Sequence, residues 1–221
     1  VGNTGGAVVR LASGLGLRVL RYDPPRAERE GPEGFCTIED IQRQADIVTV
    51  HLPLKEDTRD FIGKDFFSRL ERKPVFINAS RGECVSSDAV KWAKAEGLIG
   101  SLVIDTFPNE PNIDRDLAEL ADICSPHIAG YSLKGKAVGT TMAVRQVADY
   151  FGIASLKTFE VPLEEDYFVR IDPSSPKVLD EIKRYYDILS EKAVLLSNLD
   201  KFEYLRQNYR LRPEIVLCNT N

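Results

Sequence analysis

Near the start of the chain apolar residues recur every four positions, at Ala7, Leu11 and Leu15 with Val8 and Ala12 beside them, and this spacing predicts a helix. A strand follows over 18–22 and ends at Asp23. The polar stretch through Pro24, Pro25, Gly31 and Pro32 predicts a loop, and Thr37 is placed to cap a short helix over 37–44. Apolar runs at 47–50, 75–78, 102–105 and 123–125 then predict strands. Helical stretches at 64–70 and 87–96 alternate with them, and a long helix is expected over 133–151.

Short apolar strands separated by helices are what a parallel sheet covered on both faces requires. The pattern predicts a doubly wound, Rossmann-type α/β domain over residues 1–152. Beyond Gly152 the character changes, with a strand predicted over 157–163, helices over 175–189 and 200–209, and a strand over 215–217. This small α+β unit, 153–221, is marginal as a separate core and is expected to complete it against a second copy of the chain.

Composition narrows the function classes. Of 221 residues 43% are hydrophobic, enough for a substantial core, and 34 acidic and 29 basic side chains are mixed along the chain for a net charge of −5. The absence of a basic run argues against a nucleic-acid partner. No apolar stretch has membrane-spanning length, and the first residues do not read as a signal peptide, so a cytoplasmic protein is expected. Cys36, Cys84, Cys124 and Cys218 are too scattered for a zinc or redox motif, and no metal is expected.

Two regions carry candidate chemistry. The opening Val1-Gly2-Asn3-Thr4-Gly5-Gly6 fits the later part of G-x-G-x-x-G, with Gly2 and Gly5 as its second and third glycines. Glycine lets the backbone approach a pyrophosphate, and the helix N-terminus offers it free N–H groups, so Gly2, Asn3, Thr4 and Gly5 are candidate cofactor contacts. A glycine-rich turn before a helix would look the same. Asp23, 18 residues after Gly5 at the end of the next strand, makes the combination more specific, because a carboxylate there can accept both adenosine ribose hydroxyls of NAD. Val1 falls where the first strand of such a sheet should be ending. The sequence therefore reads as a fragment, with that strand and a substrate domain upstream.

The other region consists of three strand-end motifs: Asn78-Ala79-Ser80-Arg81-Gly82, the run from Asp105 to Pro111, and the run from Ser125 to Tyr131. Ligands bind beyond the C-terminal ends of parallel strands, so Arg81, Glu110 and His127 are expected to converge on one cleft. Oxidising a 2-hydroxy acid needs a cation for the carboxylate, a base for the hydroxyl proton and support for that base. Arg81 offers a planar fork, His127 a base that titrates near neutrality, and Glu110 a charge that favours the imidazolium. A shift of one pKa unit would correspond to about 1.4 kcal/mol. Any one of these residues alone would more simply be a surface residue.

Taken together, the ordered Arg, Glu and His motifs behind the glycine-rich turn and its acidic partner resemble the D-2-hydroxyacid dehydrogenase family, from Val1 to about Phe151. Glu110 resembles the hydroxyacid enzymes rather than formate dehydrogenases, which carry glutamine there. The run from His127 to Thr140, the Tyr22-Asp23-Pro24-Pro25 segment and the C-terminal run 200–209 resemble a branch that oxidises 4-phospho-D-erythronate in vitamin B6 synthesis. The resemblance implies an NAD-dependent dehydrogenase acting on a small phosphorylated hydroxy acid, and a homodimer built through the C-terminal unit. It also implies that Leu52, Ala79, Ser80, Arg81, Asp105 and Gly130 line the NAD site and that Tyr131 touches substrate. Leu52 stands where threonine is common, so a hydroxyl contact there would be lost and a backbone contact kept.

Other residues have plainer readings. Cys84 and Trp92 are expected to be packing residues, and His51 a loop residue rather than a second base. Lys134 and Lys136 are solvated helix lysines or, alternatively, phosphate ligands. Phosphoglycerate or glycerate dehydrogenase, and an NAD-sensing module without turnover, are the competing functions.

Overall fold

A computed structural model describes residues 1–218. Among the described residues its compact units are Val1–His127 with Ile188–Gln207, and Ile128–Asp187 with 208–218. This division differs from the boundary expected at 152: residues 128–152 group with the second unit, and the 188–207 segment groups with the first.

The first unit is built on a parallel sheet of β1 (Ile47–Val50), β2 (Val75–Asn78), β3 (Ser101–Ile104) and β4 (Ile123–Cys124), in that spatial order. The predicted strands at these places are present. Register pairs Val48 with Phe76 and Phe76 with Leu102, so alternate residues of successive strands line one face. That face is buried: Val48, Val50, Phe76, Leu102 and Ile104 form one cluster with Phe66 and Phe67 of α4 (Lys64–Ser68) and Ala89, Val90 and Ala93 of α5 (Ser87–Ala95). Phe67 and Phe76 meet edge to face with centroids 5.1 Å apart. Burying a phenylalanine contributes about 1.5–3 kcal/mol, which makes this aromatic group a main anchor of the sheet.

Asp114 caps α6 (Arg115–Leu120) by accepting from the amides of Asp116 and Leu117, while Lys192 of α9 (Ile188–Ser197) donates to the Glu119 and Ala121 carbonyls at its other end. This explains why 188–207 joins the first unit. Leu195 of α9 and Phe202 of α10 (Phe202–Gln207) are buried in the same core, with Phe202 edge-on to Phe107 at 6.4 Å.

The N-terminal part is packed differently. In α1 (Asn3–Gly14) Gly5 is buried, but Leu11 and the following Leu15, of the spacing that predicts this helix, are 42% and 51% exposed. The strand predicted over 18–22 is not formed. Its recorded backbone link across the chain is Cys36 N–H to Arg21 O at 2.8 Å, and a strand needs a ladder of such bonds. The polar run read as a loop contains α2 (Pro24–Glu30), started by prolines in its first turn and by the Asp23 side chain, which accepts from the Arg26 amide at 3.2 Å. Thr37 caps α3 (Ile38–Gln44) as expected, in a reciprocal box with Asp40.

In the second unit, α7 (Leu133–Phe151) is capped by Ser132 and ends at Gly152, whose φ of +68° suits glycine. The strand predicted over 157–163 is absent. Parallel pairing instead joins β5 (Phe168–Ile171) to β6 (Glu214–Leu217). The helix predicted over 175–189 is shorter, α8 (Val178–Tyr185), because the chain turns extended at Tyr186.

Candidate active site

The loops leaving β2, β3 and β4 are linked through their backbones: Asp105 N–H donates to Asn78 O at 2.9 Å, and His127 N–H to Asp105 O at 2.8 Å. Each loop has its own fixing device. After β2, the buried Asn78 side chain accepts from Ser80 N–H at 3.1 Å and Ser80 Oγ at 2.8 Å, and its amide donates to Arg81 O at 3.0 Å. This Asx-type turn shapes the path to Arg81, whose side chain is exposed and whose guanidinium donates to Ser80 O at 2.7 Å. Gly82 follows because nothing larger fits: a Cβ there would lie 2.0 Å from the Phe107 carbonyl carbon. That close approach puts the Arg81 loop against the loop carrying Glu110.

After β3, Asn109 takes a left-handed φ of +60°, which asparagine tolerates better than most residues, and the Glu110 carboxylate turns back to accept from Phe107 N–H at 2.8 Å. Its other oxygen meets His127 Nδ1 at 2.7 Å, with the two side chains 17% and 22% exposed. A carboxylate at Nδ1 fixes that nitrogen as the donor, leaving Nε2 as the atom able to take a proton. The buried Asp105 carboxylate accepts from Ser125 Oγ at 2.6 Å. Glu110, His127, Asp105, Ser80 and the Arg81 backbone thus belong to one linked group of loops. The sequence motifs contain Asn78, Gly82 and Ser125 without indicating their parts; the Asn two residues before Ser80 and the hydroxyl beside Pro126 are the signals that mark them.

The second candidate region lies at the start of α1. Gly2, Asn3 and Thr4 are exposed, no side chain caps the helix, and a Cβ on Gly2 would meet open space. Gly5 stands beside His51, where a Cβ would make an ordinary 3.5 Å contact. Burial pushes the His51 imidazole below its usual pKa, and its Nε2 bonds Thr49 Oγ1 at 3.1 Å. Asp23 accepts from the Arg26 amide at 3.2 Å, and the neighbouring Arg26 charge favours its ionised form. Asp23 also borders a cleft of about 370 Å³ lined by Tyr22, Pro24, Phe35, Thr37 and Ile38 among others, a lining the motifs had not indicated. An uncapped helix start, open space over a glycine, a ribose-type carboxylate and a cleft of ligand size are a donor and acceptor set that fits a dinucleotide.

Leu52 is partly buried against the core cluster, and its carbonyl lies 3.8 Å from the sulfur of Cys84. Cys84 is wholly buried, and burial raises its thiol pKa, as suits a packing residue. Gly130 and Tyr131 belong to the second unit, where the Lys136 ammonium sits 3.8 Å from the Tyr131 ring centroid.

The parallel sheet, with Arg81, Glu110 and His127 on the loops beyond its strand ends, is of the Rossmann type that binds dinucleotides. Residues 1–129 match the family described as D-isomer specific 2-hydroxyacid dehydrogenase, NAD binding domain, and the chain belongs to that family. NAD is the cofactor of this domain. Among named relatives, an erythronate-4-phosphate dehydrogenase of Bacteroides thetaiotaomicron is 38% identical over 97% of this chain. This chain spans 62% of that relative's length. The fold is similar to that of an Aquifex aeolicus D-lactate dehydrogenase complexed with NAD and lactic acid, at TM-score 0.59 and 25% identity, covering 74% of this chain and 56% of the other. It is similar as well to a Lactobacillus jensenii D-lactate dehydrogenase with NAD+, at TM-score 0.55 and 28% identity, covering 74% and 54%. No helix among the described residues is long and apolar enough to cross a membrane.

Proposed function

We propose that the protein carrying this chain oxidises 4-phospho-D-erythronate to its 2-oxo acid, with NAD, on the route to pyridoxal phosphate. The observation that carries the reading is the 2.7 Å contact of Glu110 with His127 Nδ1, which leaves Nε2 to act as base. Arg81 holds the substrate carboxylate with its planar fork. His127 Nε2 takes the C2 hydroxyl proton as the C2 hydrogen leaves with its electron pair, and Glu110 stabilises the imidazolium so formed. NAD, when bound, supplies the acceptor for that hydride.

The fingerprint amides from Gly2 to Gly5 hold the pyrophosphate, and Asp23 the adenosine ribose. Leu52, through its backbone, and Ala79, Ser80, Arg81, Asp105 and Gly130 line the rest of the NAD site, while Tyr131 touches substrate. The first 152 residues serve as the NAD-binding domain, and residues 153–221 make the contacts of a cytoplasmic homodimer. The Bacteroides relative supports the substrate, since its likeness runs through the C-terminal region as well.

The test is to express the natural gene product and compare 4-phospho-D-erythronate, 3-phosphoglycerate and glycerate in NAD-linked turnover. The highest kcat/KM is expected for the four-carbon phosphate. Preference for a glycerate substrate overturns the assignment of substrate, and no turnover with any hydroxy acid overturns the enzyme.

A further inference from the structure

The loop that continues from His127, residues 128–132, is held by the far end of the chain. Arg212, just before β6, spreads its guanidinium over two consecutive carbonyls, with Nη1 donating to Ile128 O at 3.1 Å and Nη2 to Ala129 O at 2.6 Å. Its own backbone carbonyl receives Leu133 N–H at 2.9 Å, and its amide donates to Tyr131 O. Around this crossing, the guanidinium lies over Tyr186 at 4.3 Å, Tyr209 meets the Tyr131 ring edge to face at 6.3 Å, and Ser132 Oγ donates to Glu214 at 2.8 Å. Arg212 and Glu214 lie beyond the stretch matched by the family, so the shared NAD-binding fold does not account for this arrangement.

We propose that Arg212 is a positioning residue that fixes the 128–132 loop and so sets the place of Tyr131 against the hydroxy-acid substrate. The inference rests on the reading of Tyr131 as a substrate contact. Two donors in one rigid plane hold two successive peptide units in a fixed relation, which a single flexible ammonium cannot do. The Tyr131 ring also meets Tyr209 of the C-terminal segment edge to face and has the Lys136 ammonium over it, so that segment contributes directly to holding the ring.

The test compares wild type with Arg212→Ala and Arg212→Lys in the natural gene product, reading three quantities. Amide hydrogen exchange of the peptide containing Tyr131 to Leu133 should quicken about tenfold or more in Arg212→Ala, the loss expected for a charge-assisted bond. The substrate KM should rise about tenfold, and the NAD dissociation constant, which feels the loop through Gly130, by a smaller factor. Arg212→Lys, with one donor head, should fall between wild type and Arg212→Ala in exchange and in KM. Unchanged exchange in a folded Arg212→Ala protein overturns the proposal, as does faster exchange with an unchanged substrate KM. So does a loss of substrate and NAD binding accompanied by loss of cooperative thermal unfolding, which would indicate general unfolding. Should wild type turn over no hydroxy acid, the proposed reaction fails, and the exchange measurement alone still decides whether Arg212 holds the loop.

Discussion

The strand-end loops and the start of α1 belong to one unit and serve one proposed reaction, yet they are fixed in different ways. At the strand ends each functional group has a partner within a few residues or in the adjoining loop: Asn78 shapes the way to Arg81, Phe107 N–H holds Glu110, and Glu110 holds His127. At the start of α1 the helix has no side-chain cap, and Leu11 and Leu15 remain exposed. Asp23 accepts from the Arg26 amide through one oxygen. Locally partnered loops hold their geometry through bonds inside the described chain. The α1 region instead leaves its helix-start amides without a side-chain cap, as an anion site requires.

The contrast is tested most forcefully at His127. His127→Ala should slow the hydride-transfer step by about 10²–10⁴-fold, the usual contribution of a general base, and leave NAD affinity within about twofold. Single-turnover rates with a parallel NAD titration separate the two effects, and a near-normal rate would remove the imidazole as base. Asp23 tests the other region. Its carboxylate near a 2′-phosphate should disfavour NADP by about 1–4 kcal/mol at a 4 Å separation, and Asp23→Ser should shrink that gap. Equal kcat/KM for the two cofactors in wild type would show that Asp23 does not read the ribose.

A smaller effect is expected from Gly82→Ala, where the added methyl meets the Phe107 backbone and two loops must separate. Overpacking of this kind costs about 1–3 kcal/mol, a fall in melting temperature of about 2–4 °C per kcal/mol that thermal unfolding would detect. An unchanged melting temperature would mean that the loops lie farther apart. The smallest effect belongs to Leu15→Ser, which should move stability by no more than about 0.5 kcal/mol because the leucine is half exposed. A loss of 2 kcal/mol or so, as for a buried leucine, would show that the end of α1 is covered in the folded protein.

The same difference explains what could be read in advance. The strands at 47–50, 75–78, 102–105 and 123–125 were legible because buried parallel strands are short apolar runs, and the Glu110–His127 pairing because strand-end motifs face one side. Residues 18–22 carry an equally good strand pattern, but a strand also needs a neighbour for its ladder, and a local pattern does not contain the neighbour. The converse holds at Pro24–Glu30, where two prolines resemble loop punctuation although Asp-Pro-Pro is also a helix start. Tyr186 interrupts a run whose spacing alone continues as helix, and nothing in that spacing announces the break.

The backbone at His127 restricts which residues could replace it. With φ at +58°, this position lies in a region that few side chains other than asparagine, aspartate and histidine enter readily, glycine apart. A lysine or glutamate installed to give a base of different proton affinity would have to adopt that conformation without the same tolerance, and a β-branched residue would fit worst. A library randomised at this codon should therefore yield its well-folded members chiefly among Gly, Asn, Asp and His. Of these, histidine alone ordinarily titrates near neutral pH, so the main chain narrows the chemical alternatives before any selection for catalysis begins.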